Sequence, residues 1–109
     1  METSKTLETA LSLVKGTREK QNGDKLINHE NIARLWSGFL TNKFRTQINI
    51  DASDVAQLMV LLKVARTQNG DFNEDDFIDI CGYGAIAGEL KAEIRRLSTT
   101  LGETNSAKD

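Results

Sequence analysis

A chain of 109 residues is one domain's length, and 39% hydrophobic content supports a single modest core. Its net charge of −2 lacks the basic excess of a nucleic-acid backbone binder, so no direct nucleic-acid binding is expected. One cysteine, Cys81, excludes a disulfide framework or a cysteine-based zinc site within the chain, and no run nears the ~18 apolar residues of a membrane span.

The opening METSKTLETALSLVKG has too short an apolar run for a secretory signal, which sets a cytoplasmic expectation. Thr3 to Lys15 is amphipathic, with Leu7, Ala10, Leu11 and Val14 at helical spacing and Gly16 as the stop. Thr17 to Asn28 reads as a polar loop around Asn22-Gly23-Asp24. His29 to Thr41 returns to helical period, with Asn28 placed to cap it and Ile32, Leu35, Trp36, Phe39 and Leu40 on one face. Phe44, Thr46, Ile48 and Ile50 then alternate with polar residues. With no second strand in view, this predicts an extended connector that lays its isoleucines on the core.

Asp51 and Asp54 form a capping-box pattern ahead of a helix over Val55 to Ala65. That helix is apolar on nearly every side, which predicts the buried centre of the fold, with Leu58, Leu61 and Leu62 supplying the core. Asn69-Gly70 ends it, and Asn73 caps a last helix with Glu74, Asp75 and Asp76 in its first turn. Gly82, Gly84, Ala85, Ala87 and Gly88 leave that helix a face that another backbone can approach. Residues 98–109 carry one large apolar side chain and are expected to form a flexible tail behind a domain of residues 1–97. The expected fold is thus all-α, a single domain of about four helices. A short chain cannot cover a helix apolar all round, so a homo-oligomer, most simply a two-fold dimer, is expected.

The candidate site lies on the last two helices. Lys63 and Arg66 share one face, and Asp76, Asp79 and Tyr83 share a face of the next helix. Antiparallel packing would set a cationic pair against an anionic pair. Such a cluster serves either as a salt-bridge lock or as a polar pocket for an anionic ligand with a metal ion on the aspartates. In the second reading Lys63, Arg66, Asp24 and Tyr83 bind the ligand, and Asp54, Asp76 and Asp79 hold magnesium. The bland readings are a turn residue for Asp24 and an N3 cap for Asp54. His29 reads as a surface residue near a helix start, Trp36 as core and Cys81 as a small buried hydrophobe.

The order REKQNGD, HENIARLWSGFL, DVAQLMVLLKVAR and DDFIDICGYGAIAGEL resembles a family of small, uncharacterised bacteriophage and prophage proteins. Its pattern is an R-x-x-x-Y-G-D turn, an I-A-x-L-W helix, a D-V-A-x-x-M-x-L-L-K-x-A-R helix and D-x-x-G-Y. The likeness covers Arg18 to Leu90, and Asn22 stands where the family tends to have tyrosine. The chain is more distantly similar to MazG-type all-α nucleotide pyrophosphohydrolases and to phage nucleotide-modification-associated domains. In the MazG type an E-x-x-E pair and an E-x-x-D pair hold magnesium. Asp76-x-x-Asp79 imitates the second pair, and no helical E-x-x-E is present. The resemblance implies a MazG-like bundle and a phage protein that acts on or binds a nucleotide, as a divergent magnesium-dependent pyrophosphohydrolase or a binder that has lost catalysis. The alternative is a non-enzymatic interaction protein that blocks a host protein or a signalling nucleotide.

Overall fold

The computed structural model describes residues 1–16 and 24–106, with side chains described through residue 101. The described residues form four helices and no strand: α1 (Thr3–Lys15), α2 (Lys25–Phe44), α3 (Ala52–Thr67) and α4 (Glu74–Ser106). Most of the expected polar loop, residues 17–23, lies outside the described residues.

The helices pack in series rather than around one axis. α1 lies on α4, α4 on α3 and α3 on α2. α1 stops at Gly16, where an added Cβ would meet the Ser12 carbonyl oxygen at 2.9 Å, so glycine is the residue that fits. α2 begins at Lys25 rather than His29, because Asp24 is the cap. Its side chain accepts from the Ile27 amide at 3.1 Å. α2 also runs on to Phe44, closed by Arg45 in the left-handed conformation at φ 57°.

The connector from α2 to α3 is extended, and helix hydroxyls take the place of a partner strand. Thr41 Oγ1 accepts from the Ile48 amide (3.0 Å) and donates to its carbonyl (3.3 Å). One turn earlier, Ser37 Oγ does the same for Ile50, at 2.8 and 3.3 Å. Ile48 and Ile50 are half-buried as a result. The double variant S37A/T41V is expected to strand two partly buried amides, at about 1–3 kcal/mol each. Faster amide exchange confined to Ile48 and Ile50 would report the loss.

The α3 start is the expected capping box. The Asp54 amide donates to Asp51 Oδ1 (2.8 Å) and the Asp51 amide to Asp54 Oδ2 (3.0 Å). Its buried residues are Ala52, Ser53, Val55 and Ala56. The expected core leucines are not among them: Leu58, Leu61 and Leu62 are 39%, 61% and 46% exposed. Small side chains let α3 and α4 approach closely, and this approach settles which side of α3 is inside. Ser53 Oγ, fully buried, donates to the Ala87 carbonyl across the contact at 2.9 Å and accepts from Gln57 Nε2.

Gly70 turns the chain at φ 75°, and Asn73 Oδ1 accepts from the Asp75 amide at the head of α4. The rings of Phe72 and Phe77 pair across that turn at 5.9 Å. On α4, Gly82 faces Val14 of α1, whereas Gly84, Ala85 and Gly88 are exposed. The expected tail from Ser98 is helical as far as Ser106. No proline interrupts it, Glu93 and Arg96 pair at 2.6 Å, and Thr100 bonds back to the Arg96 carbonyl. The hydrogen bond from Arg96 holds the Glu93 carboxyl below its ordinary range. Side chains from Arg95 to Leu101 are all exposed. Among the described residues no helix is long and apolar enough to cross a membrane.

Candidate functional site

The two charged pairs meet as their reversed spacing requires. Lys63 and Arg66 are three residues apart on α3, Asp79 and Asp76 three apart in the opposite direction on α4. Antiparallel packing therefore joins them in order. Lys63 Nζ lies 3.0 Å from Asp79 Oδ2, with both side chains 14% exposed. Arg66 Nε lies 3.0 Å from Asp76 Oδ1, but here the burial is unequal: Arg66 is 52% exposed and Asp76 6%.

This inequality separates two jobs. Lys63 and Asp79 are both withdrawn from water, which is the arrangement of a lock between helices. Asp76 sits in the first turn of α4, where its charge favours the helix dipole. Its Oδ1 is buried without a hydrogen bond, so the approach of Nε is an ion pair whose N–H is not aimed at that oxygen. Arg66 reaches past it into an open cleft of 430 Å³ between the end of α3 and the start of α4. Leu62 and Ala65 form the apolar side of this cleft, and Asn69, Asp71 and Asn73 of the turn form the polar side. Arg66 meets Asp76 through Nε, and its half-exposed side chain borders the cleft.

The remaining sequence candidates lie elsewhere. Asp24 caps α2, and its neighbour Lys25 bridges to Glu89 of α4 at 2.8 Å. Asp54 is committed to the capping box, nine residues before Lys63 and so about 13 Å away along the helix at 1.5 Å per residue. Tyr83 is half-buried one turn beyond Asp79 and outside the cleft. Asp54, Asp76 and Asp79 therefore do not come together. Among the described residues no three acidic, histidine or cysteine side chains stand close enough to hold a metal. Magnesium wants carboxylate oxygens in octahedral array, and here two candidate ligands each face a cation while the third caps a helix. The donor set as arranged does not fit that ion. Asn69, Asp71 and Asn73 line the cleft, and the sequence reading did not single them out for it because turn and cap signals account for such residues.

The profile of the family described as "Domain of unknown function (DUF6378)" matches residues 5–91. A "Gene 55 protein" of Mycobacterium phage L5 is 33% identical over 85 residues, 78% of this chain and 51% of the relative. A "Gene 55 protein" of Mycobacterium phage D29 is 36% identical over 87 residues, 80% of this chain and 54% of the relative. The chain thus spans about half the length of the curated relatives it matches. No solved structure matches it. None of these matches is a MazG-type enzyme.

Proposed function

We propose that this chain, which belongs to the phage-related DUF6378 family, binds a phosphorylated ligand of the nucleotide class through Arg66 in the cleft between α3 and α4. One observation carries the reading: a carboxylate 6% exposed, Asp76, holds an arginine that is itself 52% exposed. A buried charge that restrains an exposed one is costly for stability alone, and it orients a planar fork toward phosphate oxygens. Lys63, expected to share the phosphate, is assigned to the lock with Asp79 instead. The reading is of binding without hydrolysis. Asp76 and Asp79 are each engaged by a cation, and Asp54 is a helix turn or more out of reach. Magnesium belongs to it only as the counterion that accompanies the phosphates.

A melting-temperature screen against nucleoside mono-, di- and triphosphates, with and without magnesium, tests this. A ligand at a hundred times its Kd adds about 2.7 kcal/mol and raises Tm accordingly. The double variant R66A/D76A leaves no carboxylate stranded, so it is expected to keep its fold and lose the shift. R66K is expected to keep only part of it, since an ammonium lacks the fork. No shift with any nucleotide, or an equal shift in R66A/D76A, would overturn the reading. Release of pyrophosphate in the same panel would replace binding with turnover.

A second reading, a non-enzymatic protein that acts by association, is favoured by a different observation. Large apolar side chains are exposed on every helix, among them Leu7 and Leu11, Leu35 and Phe39, Leu61 and Leu62, and Leu97 and Leu101. Surface of this kind suits a homo-oligomer or a host protein as partner.

A further inference from the structure

We infer that α3 is the seam of a two-fold homodimer in which Leu58, Leu61, Leu62 and Ala65 pack antiparallel against the same residues of a second copy. Their spacing is i, i+3, i+4, i+7, a continuous helical stripe, and all four are exposed. Leu61 lies opposite Ala52 and Ala56 of the buried face that packs on α4, and Leu58, Leu62 and Ala65 stand between that outer side and the α3–α4 cleft.

Three further observations select a second copy as the occupant. The first is area. A folded monomer of 12.1 kDa exposes roughly 6,000 Å² by the mass scaling of globular proteins, and this chain exposes 7945 Å². The overhanging end of α4 accounts for part of the excess. The whole difference, that end included, is larger than the ~800 Å² per partner that a stable interface buries. The radius of gyration agrees, at 16.8 Å against about 13 Å for a compact chain of this length.

The second is charge. From Val55 to Ala65 the single ionisable residue is Lys63, and it turns inward to Asp79. The outer face of α3 therefore offers a partner no charge to read, which suits an equally uncharged helix. The third is shape. A two-fold axis between Leu61 and Leu62 sets Leu58 of each copy on Ala65 of the other, large against small, and packs Leu61 on Leu62. This self-complementarity is what an isologous interface needs. Leu62 and Ala65 also wall the Arg66 cleft, so the dimer would close its apolar side. The dimer rests on the stripe alone and stands whether or not that cleft takes a nucleotide.

Sedimentation velocity on the full chain across micromolar concentrations tests the inference. The wild type is expected to run as a dimer. Leu61→Glu places like charges against each other at the axis and is expected to weaken dimerisation on the order of 100-fold, since each substitution counts twice. Leu61 is exposed in the single chain, so the variant keeps its helical circular dichroism. Mixing Leu61→Glu with Leu61→Lys is expected to restore a mixed dimer. Leu35→Glu, on the outer face of α2, leaves the dimer intact. A monomeric wild type, or a Leu61→Glu protein that remains dimeric, overturns the proposal. Dissociation by Leu35→Glu instead would place the seam on α2 and overturn it equally.

Discussion

Replacing Asp79 with alanine is expected to cost about 3–5 kcal/mol of stability, because it strands the Lys63 ammonium inside the α3–α4 contact. The two side chains are each 14% exposed and 3.0 Å apart, so solvent screens the lost interaction little. In a domain of this size the loss corresponds to a fall in Tm of roughly 15–30 °C. Lys63→Met is expected to cost less, since Asp79 is engaged beyond this pair and keeps an interaction when the ammonium goes. The double variant K63M/D79L exchanges the pair for apolar volume and is expected to recover most of the loss, or to exceed the wild type. Urea denaturation of the wild type, K63M, D79L and K63M/D79L closes a double-mutant cycle, with D79A measured beside it. A loss below about 1 kcal/mol in D79A would give the pair the worth of a surface ion pair and take the lock away.

Ala56→Leu is expected to destabilise the protein by about 1–3 kcal/mol for the opposite reason, added volume rather than lost charge. Ala56 is fully buried where α3 meets α4, beside Ala52 and the Ser53 hydroxyl that reaches the Ala87 carbonyl. A leucine there must push the helices apart or take a strained rotamer, and either stretches the 2.9 Å hydrogen bond from Ser53. Denaturation gives the magnitude, and faster amide exchange in α4 around Ala87 locates the opening. A stability equal to that of the wild type would show a void at the contact that the burial of Ala52, Val55 and Ala56 does not suggest.

What could be read from residues in order was local. Glycine at position 16, the Asp51–Asp54 box and Asn73 at the head of α4 each act within one turn, so sequence distance is close to spatial distance and the pattern suffices. The Lys63–Asp79 pairing was legible for a related reason. A short turn between two helices forces antiparallel packing, and equal spacing in reversed order leaves one way to join the charges. Asp24 and Asp54 were harder, since a carboxylate before a helix serves as a cap or as a ligand with the same letters. Both cap, which takes them out of the cleft. Ser37 and Thr41 carried no sequence expectation of their own, and the shape of the chain made them the anchors of the connector.

The side of α3 that faces inward was beyond the sequence. A helix apolar all round carries no polar face to exclude the wrong orientation, and the bulk of Leu58, Leu61 and Leu62 pointed to the wrong side. Packing chose Ala52, Ser53, Val55 and Ala56, because small side chains let two backbones come close enough for many weak contacts and one buried hydroxyl bond. That choice turns the leucines outward and leaves Arg66 at the cleft edge. Orientation of this kind is a property of two helices together, and neither helix encodes it alone.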